Sequence, residues 1–193
     1  MNSNQAAVAS SHNLLPLQEP DWIRSDAVAS PLFTDVISHW LLDANSLTDR
    51  LRVMHAEHFN LQLLSWQQAL PLASECTLLK VSDAHNVWVR EVVLCNGQTP
   101  LIFARSVITG NDASLMQTLN GLGKESLGGY LFNSPNVIRG EMQIARVTND
   151  MLILEPFLAA GLPLAEGYWA RRCLYQIGLA RLLVNEIYSP SVF

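Results

Sequence analysis

The sequence predicts an α+β fold: one antiparallel β-sheet of about six strands, helices covering one face, and a helix-pair lid. Three observations carry this expectation. Apolar alternation with period two recurs at 60–67, 86–95, 101–109, 137–147, 168–177 and 181–188, as half-buried strands require. Asn96-Gly97 separates two of these runs and Gly178 the last two, and strands joined by such tight turns must be antiparallel. Helical periodicity lies mostly ahead of the strands and returns only at 113–122.

Taken in order, residues 1–30 are rich in Ser, Asn, Gln and Ala, with Pro16 and Pro20 among them. They read as a poorly ordered extension that touches the core through Leu14, Leu15, Leu17 and Trp22. Residues 31–193 read as one domain, an ordinary length for a single core. Phe33, Val36, Ile37, Trp40 and Leu41 fall on one face of a first helix. Asp43-Ala44-Asn45 interrupts it, and Ser46 with Asp49 three residues later marks the N-terminus of a second helix. Leu47, Leu51 and Met54 give that helix its apolar side. From Phe59 the period falls to two. Gly123 ends the helix at 113–122, and Leu127-Gly128-Gly129-Tyr130 reads as a flexible turn. The stretch 148–167 is a long, apolar connection before the last two strands.

Composition narrows the function. Of 193 residues, 49% are hydrophobic and only 15% charged, which argues for a packed globule and against disorder. The net charge of −5 gives no global attraction for nucleic acid or anionic lipid. An anionic ligand must then be held by local basic residues. Cys76, Cys95 and Cys173 are scattered and odd in number, fitting reduced thiols in a cytoplasm. No run approaches the ~18 apolar residues of a membrane span, and no secretory leader is expected. His55 and His58 lack further metal ligands at suitable spacing, and Gly121-Leu122-Gly123-Lys124 lacks the rest of a phosphate loop. No Ser occupies a nucleophile elbow. Chemistry without metal, cofactor, nucleotide or covalent intermediate is expected, in a monomer.

The informative residues are charges inside apolar strands. Arg90 and Glu91 occupy opposite faces of Trp88-Val89-Arg90-Glu91-Val92-Val93-Leu94, both of which look buried. Arg105 lies between Phe103 and Val107, and Glu186 shares a face with Leu182, Val184 and Tyr188. A stranded buried charge costs about 3–5 kcal/mol, so each needs a partner or a ligand. Two readings stay open: an internal salt bridge of Arg90 or Arg105 with Glu91 or Glu186, or an anion pocket. In the pocket, a guanidinium grips a ligand carboxylate and Glu186 faces the ligand's other end.

At these residues the sequence resembles the chorismate pyruvate-lyase family. The resemblance rests on four segments in register: Trp40-Leu41-Leu42-Asp43-Ala44-Asn45-Ser46-Leu47-Thr48-Asp49-Arg50; Val87–Cys95 continued by Ala104-Arg105-Ser106-Val107; Leu122–Phe132; and Tyr168–Cys173 with Leu182–Pro190. It runs from about residue 32 to the C-terminus. It implies a chorismate lyase-like fold and a cofactor-free carbon–oxygen lyase that converts chorismate to 4-hydroxybenzoate and pyruvate for ubiquinone biosynthesis. It further implies that Arg90 binds the ring carboxylate with the backbone N–H of Leu127, that Glu186 faces the hydroxyl end, and that Leu47 lines the lid. Arg105 is the expected second anion contact, toward the enolpyruvyl carboxylate. Leu47, Thr109 and Cys173 depart from the family's usual Met, Pro and Ser.

On that resemblance, aromatisation drives the reaction and the protein fixes conformation and stabilises the leaving enolate. Glu186 either orients the ring hydroxyl or accepts a proton. Two other readings compete. The same architecture occurs in ligand-sensing, effector-binding domains of transcription regulators, which carry a winged helix that the roughly 30 residues here do not supply. Alternatively, the apolar 151–165 segment docks on a partner or a membrane surface, although it lacks a basic face.

Overall fold

The computed structural model describes residues 18–28, 33–110, 112–123, 125–161 and 164–193. Helix α1 (Asp35–Leu41) and helix α2 (Leu47–His55) form the expected pair. Thr34 Oγ1 accepts from the Ile37 N–H at 3.4 Å and Ser46 Oγ from the Asp49 N–H at 3.3 Å, so each helix start is satisfied by its own cap. Arg50 ties the pair together: its guanidinium lies 3.6 Å from the Trp40 ring centroid and donates to the His39 carbonyl at 3.0 Å.

The sheet has seven strands, all pairing antiparallel: β1 (Ile23–Arg24), β2 (Phe59–Ala69), β3 (Val87–Asn96), β4 (Thr99–Ile108), β5 (Val137–Val147), β6 (Tyr168–Ile177) and β7 (Ala180–Tyr188). Their spatial order is β1-β5-β6-β7-β4-β3-β2. The six expected strands are present. The seventh, β1, falls in the segment read as a loose extension. Within that segment Ile23 pairs with Ile144, and the Glu19 carboxylate accepts from the N–H groups of Ala73 and Ser74 at 2.8 and 3.0 Å. Residues 18–28 are therefore docked on the domain, while Leu14, Leu15 and Leu17 lie outside the described residues.

Three helices are new relative to the expectation, α6 (Glu155–Ala159) among them. Helix α3 (Ala73–Leu79) has no capping side chain at Leu72; Glu75 reaches back to the Leu72 N–H at 2.9 Å and Glu19 covers the next two. The supposed turn at 127–130 is the start of helix α5 (Leu127–Asn133), which follows α4 (Ala113–Gly121). Gly128 lies in close packing. A Cβ there would come within 3.2 Å of Ser126 Oγ, tighter than an ordinary contact, and would reach van der Waals contact with Ser46 Oγ of the α2 cap at 3.4 Å.

The pleat divides the core. On one face, Trp40, Leu41, Leu47 and Leu51 pack on Val92, Leu94 and Ile102, and Leu115, Leu119, Leu127 and Leu131 of α4 and α5 pack on Ile108 and Leu182. Each buried leucine contributes about 1.5–3 kcal/mol. The other face is also covered, beyond the single face expected. Leu79 of α3 lies against Val89, Val107 and Leu183. Ile153, Leu154 and Phe157 of the 3-10 turn Leu152–Leu154 and helix α6 (Glu155–Ala159) pack on Val93, Phe103 and Ile187. Ile153, Leu154 and Phe157 of the 151–165 segment are thus committed to the protein's own core, while Leu164 remains exposed.

Candidate active site

On the first face the α1–α2 and α4–α5 cores do not meet completely, and the gap between them is a cleft of about 670 Å³ including its mouth. The floor is the sheet. Arg90 and Val92 come from β3, Ala104 and Ser106 from β4, Val184 and Glu186 from β7, Arg171, Cys173 and Tyr175 from β6, and Arg139 from β5. The roof is made by Leu47 and Thr48 of α2 and by Ser126, Leu127, Gly128 and Leu131 around the start of α5. The N-terminal ends of α2 and α5 converge there. Amides in a helix's first turn have no intrahelical partner, so both ends favour negative charge in the cleft.

Arg90, Glu186, Leu47 and Leu127 are brought together, as the sequence suggests. Arg90 is 3% exposed. One of its terminal nitrogens donates to the carbonyls of Gly123 and Glu125 at 2.9 and 2.8 Å, which fixes the guanidinium just ahead of α5. No carboxylate among the described residues lies within ion-pair distance of it, and burial pulls its pKa below the usual arginine value. A buried cation whose counter-charge is not supplied by the described residues fits an anion-binding site.

Glu186 accepts a short hydrogen bond from Arg171 Nε. Arg171 also donates to the carbonyls of Asp43 at 2.7 Å and Trp40 at 3.3 Å, joining the floor to the helix pair above. Burial disfavours the Arg171 charge, but the Glu186 carboxylate outweighs it and holds the guanidinium above its ordinary pKa. Among the described residues the second Glu186 oxygen accepts no hydrogen bond, leaving it for the cleft. Burial likewise raises the Tyr175 phenol well above its usual value, keeping it protonated at neutral pH.

Arg105 is not in the cleft. It donates to Glu75 at 2.9 and 3.1 Å and to Glu91 at 2.8 Å, on the opposite face of the sheet. The reason is register. A plain two-residue hairpin at 97–98 pairs Asn96 with Thr99 and would set Arg90 opposite Arg105, side by side on one face. A bulge between Leu94 and Cys95 shifts the ladder by one residue, so Arg90 faces Ser106, and Arg105 faces Glu91. For Arg105 the internal salt bridge was the right alternative.

Arg139, Arg171 and Tyr175 were not singled out by sequence reasoning. Arg171 and Arg172 sit side by side in an apolar strand, a signal that one of them must enter each face. Arg139 gave no signal, because a second bulge, between Arg139 and Met142, decides where it points.

Three guanidinium groups and one carboxylate line the cleft, a surplus of two positive charges in a chain of net charge −5. The apolar walls exclude water and strengthen that field. The arrangement suits a small, flat ligand carrying two negative charges and a hydroxyl.

Comparison with known proteins agrees in family. Residues 16–193 match the family described as Chorismate lyase. A protein named "Probable chorismate pyruvate-lyase" from Pseudomonas aeruginosa (strain UCBPP-PA14) is 34% identical over 184 residues, covering 89% of this chain and 92% of its own length. One of the same name from Halorhodospira halophila is 31% identical over 175 residues, covering 90% and 92%. Among solved structures, the PhnF C-terminal domain superposes with a TM-score of 0.57 at 13% identity, covering 76% of this chain and 89% of that one. At that identity the likeness concerns the fold alone.

Proposed function

The chain belongs to the chorismate lyase family, and on that premise we propose that it converts chorismate to 4-hydroxybenzoate and pyruvate. The observation that carries this reading is the joint presence of Arg90 and Glu186 in one apolar cleft whose charge surplus matches a dianion. Arg90 and the backbone N–H of Leu127 hold the ring carboxylate. Leu47 and Leu131 close on the ring, and the free oxygen of Glu186 accepts from the ring hydroxyl. With one oxygen committed to Arg171, Glu186 acts chiefly by orientation.

The reaction needs little more. The bond from ring carbon to enolpyruvyl oxygen breaks and its electrons leave with that oxygen, while the carbon bearing the hydroxyl loses a proton and its C–H electrons complete the aromatic ring. The departing enolate takes up one proton in exchange, so the sum balances, and it ketonises to pyruvate. Holding the substrate in the conformation that aligns these bonds, and placing positive charge where the enolate develops, supplies the catalysis. We further propose that the product feeds ubiquinone biosynthesis and that the protein works as a cytoplasmic monomer without a nucleic-acid partner. Among the described residues no helix is long and apolar enough to cross a membrane.

The test is direct. Purified protein is incubated with chorismate, with and without a chelator, and 4-hydroxybenzoate is followed by absorbance and pyruvate by a coupled assay. Equimolar formation of both, unaffected by chelator, is expected. Binding of chorismate without turnover would reject the lyase reading in favour of a ligand sensor.

A further inference from the structure

Resting on that reading, we propose that Arg139 is the second anion contact of the cleft and grips the carboxylate of the leaving enolpyruvyl group. With Arg105 committed to Glu75 and Glu91, the dianion needs another cation. Of the three arginines in the cleft, Arg90 serves the ring carboxylate, and Arg171 is held by Glu186 and by the carbonyls of Trp40 and Asp43. Arg139, half-buried, meets the fewest oxygen acceptors of the three. Its Nη1 donates to the Ala44 carbonyl at 2.7 Å, but Nε meets only the Cys173 sulfur at 3.4 Å and Nη2 only the Met142 sulfur at 3.7 Å. Sulfur is a weak acceptor, so two edges of the guanidinium keep most of their capacity for a carboxylate.

The backbone places it deliberately. The bulge between Arg139 and Met142 re-aims the side chain, and Gly140 lets β5 approach β6 closely enough that a Cβ there would sit 3.1 Å from the Leu174 carbonyl. Arg139 enters from β5 and Arg90 from β3, four strand spacings apart, roughly 19 Å between backbones. The two guanidinium groups therefore reach into the cleft from opposite sides, with Glu186 on β7 between them. Two cations and one carboxylate are the contacts that the two carboxylates and the one hydroxyl of chorismate require.

The substrate carries both carboxylates and 4-hydroxybenzoate only one, so the contact separates the two ligands. Arg139→Gln should lower kcat/KM for chorismate by roughly 10- to 100-fold, the range for losing a charge-assisted hydrogen bond. Its Kd for 4-hydroxybenzoate, measured by calorimetry, should stay within about twofold of wild type. Arg139→Lys, which keeps the charge and loses the fork, should fall between. Wild-type kinetics in Arg139→Gln would overturn this inference while leaving the lyase reading intact. So would an equal loss of affinity for the product, which would mark a general disturbance of the cleft. Failure of the wild-type protein to form 4-hydroxybenzoate would overturn the lyase reading and this inference with it.

Discussion

Arg90 and Arg105 sit on adjacent strands, are both buried, and should respond oppositely to removal. Arg105 neutralises Glu75 and Glu91, which are 0% and 6% exposed. Arg105→Ala leaves both carboxylates stranded, at a cost of about 3–5 kcal/mol. At about 2–4 °C per kcal/mol for a chain of this size, Tm should fall by roughly 6–20 °C. Arg90 has no counter-charge. Arg90→Ala loses two hydrogen bonds to carbonyls but also relieves the desolvation of an unpaired cation, so the net change should stay within about 2 kcal/mol. Activity reverses the order. Losing a two-pronged, charge-assisted grip worth about 3–6 kcal/mol should reduce kcat/KM for chorismate by roughly 10²–10⁴. Arg105→Ala, measured below its own Tm, should keep most of its rate. Thermal melts by circular dichroism and initial rates on the same preparations give all four values. A large loss of Tm in Arg90→Ala with normal kinetics, or the converse in Arg105→Ala, would refute the assignment of these side chains to opposite faces.

Further outcomes follow from the same geometry. Glu186→Gln keeps an acceptor for Arg171 but not the charge, so stability should drop by about 1–3 kcal/mol and turnover by at least tenfold; an unchanged pH–rate profile at full activity would remove the carboxylate from the chemistry. Gly128→Ala obliges the Ser126 cap of α5, on the roof, to give by a few tenths of an ångström, and KM should rise several-fold with little change in Tm; an unaltered KM would show that this cap does not shape the roof. Saturating 4-hydroxybenzoate, at about 100 times its Kd, should stabilise wild type by about 2.7 kcal/mol, a rise of roughly 5–11 °C, and should leave Arg90→Ala unshifted in differential scanning fluorimetry.

The strands were legible because period-two alternation is a direct consequence of burying a sheet face, and 137–147 and 168–177 emerge with their expected bounds. The cap at Ser46 was legible for the same reason: a hydroxyl ahead of an apolar periodicity has one stereochemical use. What stayed hidden depends on partners distant in sequence. Helix α3 is capped by Glu19, 54 residues away from Ala73. Gly128 of α5 packs against Ser46, 82 positions upstream, so the composition of this segment mimicked a flexible turn. The three bulges, in the β2–β3, β3–β4 and β5–β6 ladders, are hidden in another way. Inserting one residue leaves the alternation on either side looking regular, yet the one between β3 and β4 moved Arg105 out of the cleft.

Charge balance then separates structure from function more sharply than burial does. The sheet carries ionisable residues on both faces because the pleat splits the adjacent pairs Arg90/Glu91 and Arg171/Arg172. On the far face Arg105 and Arg172 stand with Glu75 and Glu91, and the remaining donors of Arg172 find Gln143 at 2.8 Å, Ser74 at 3.0 Å and the Trp22 ring. That layer balances two guanidinium groups against two carboxylates, and the unpartnered atoms in it, Asn185 Oδ1 and Trp22 Nε1, are uncharged. On the near face Arg90, Arg139 and Arg171 stand with Glu186 alone. Folding by itself would favour a second and third carboxylate there, or apolar residues of the same volume, since an unpaired buried cation such as Arg90 is a net cost. A sequence that keeps the imbalance on one face while balancing the other supports a ligand as the missing pair of charges.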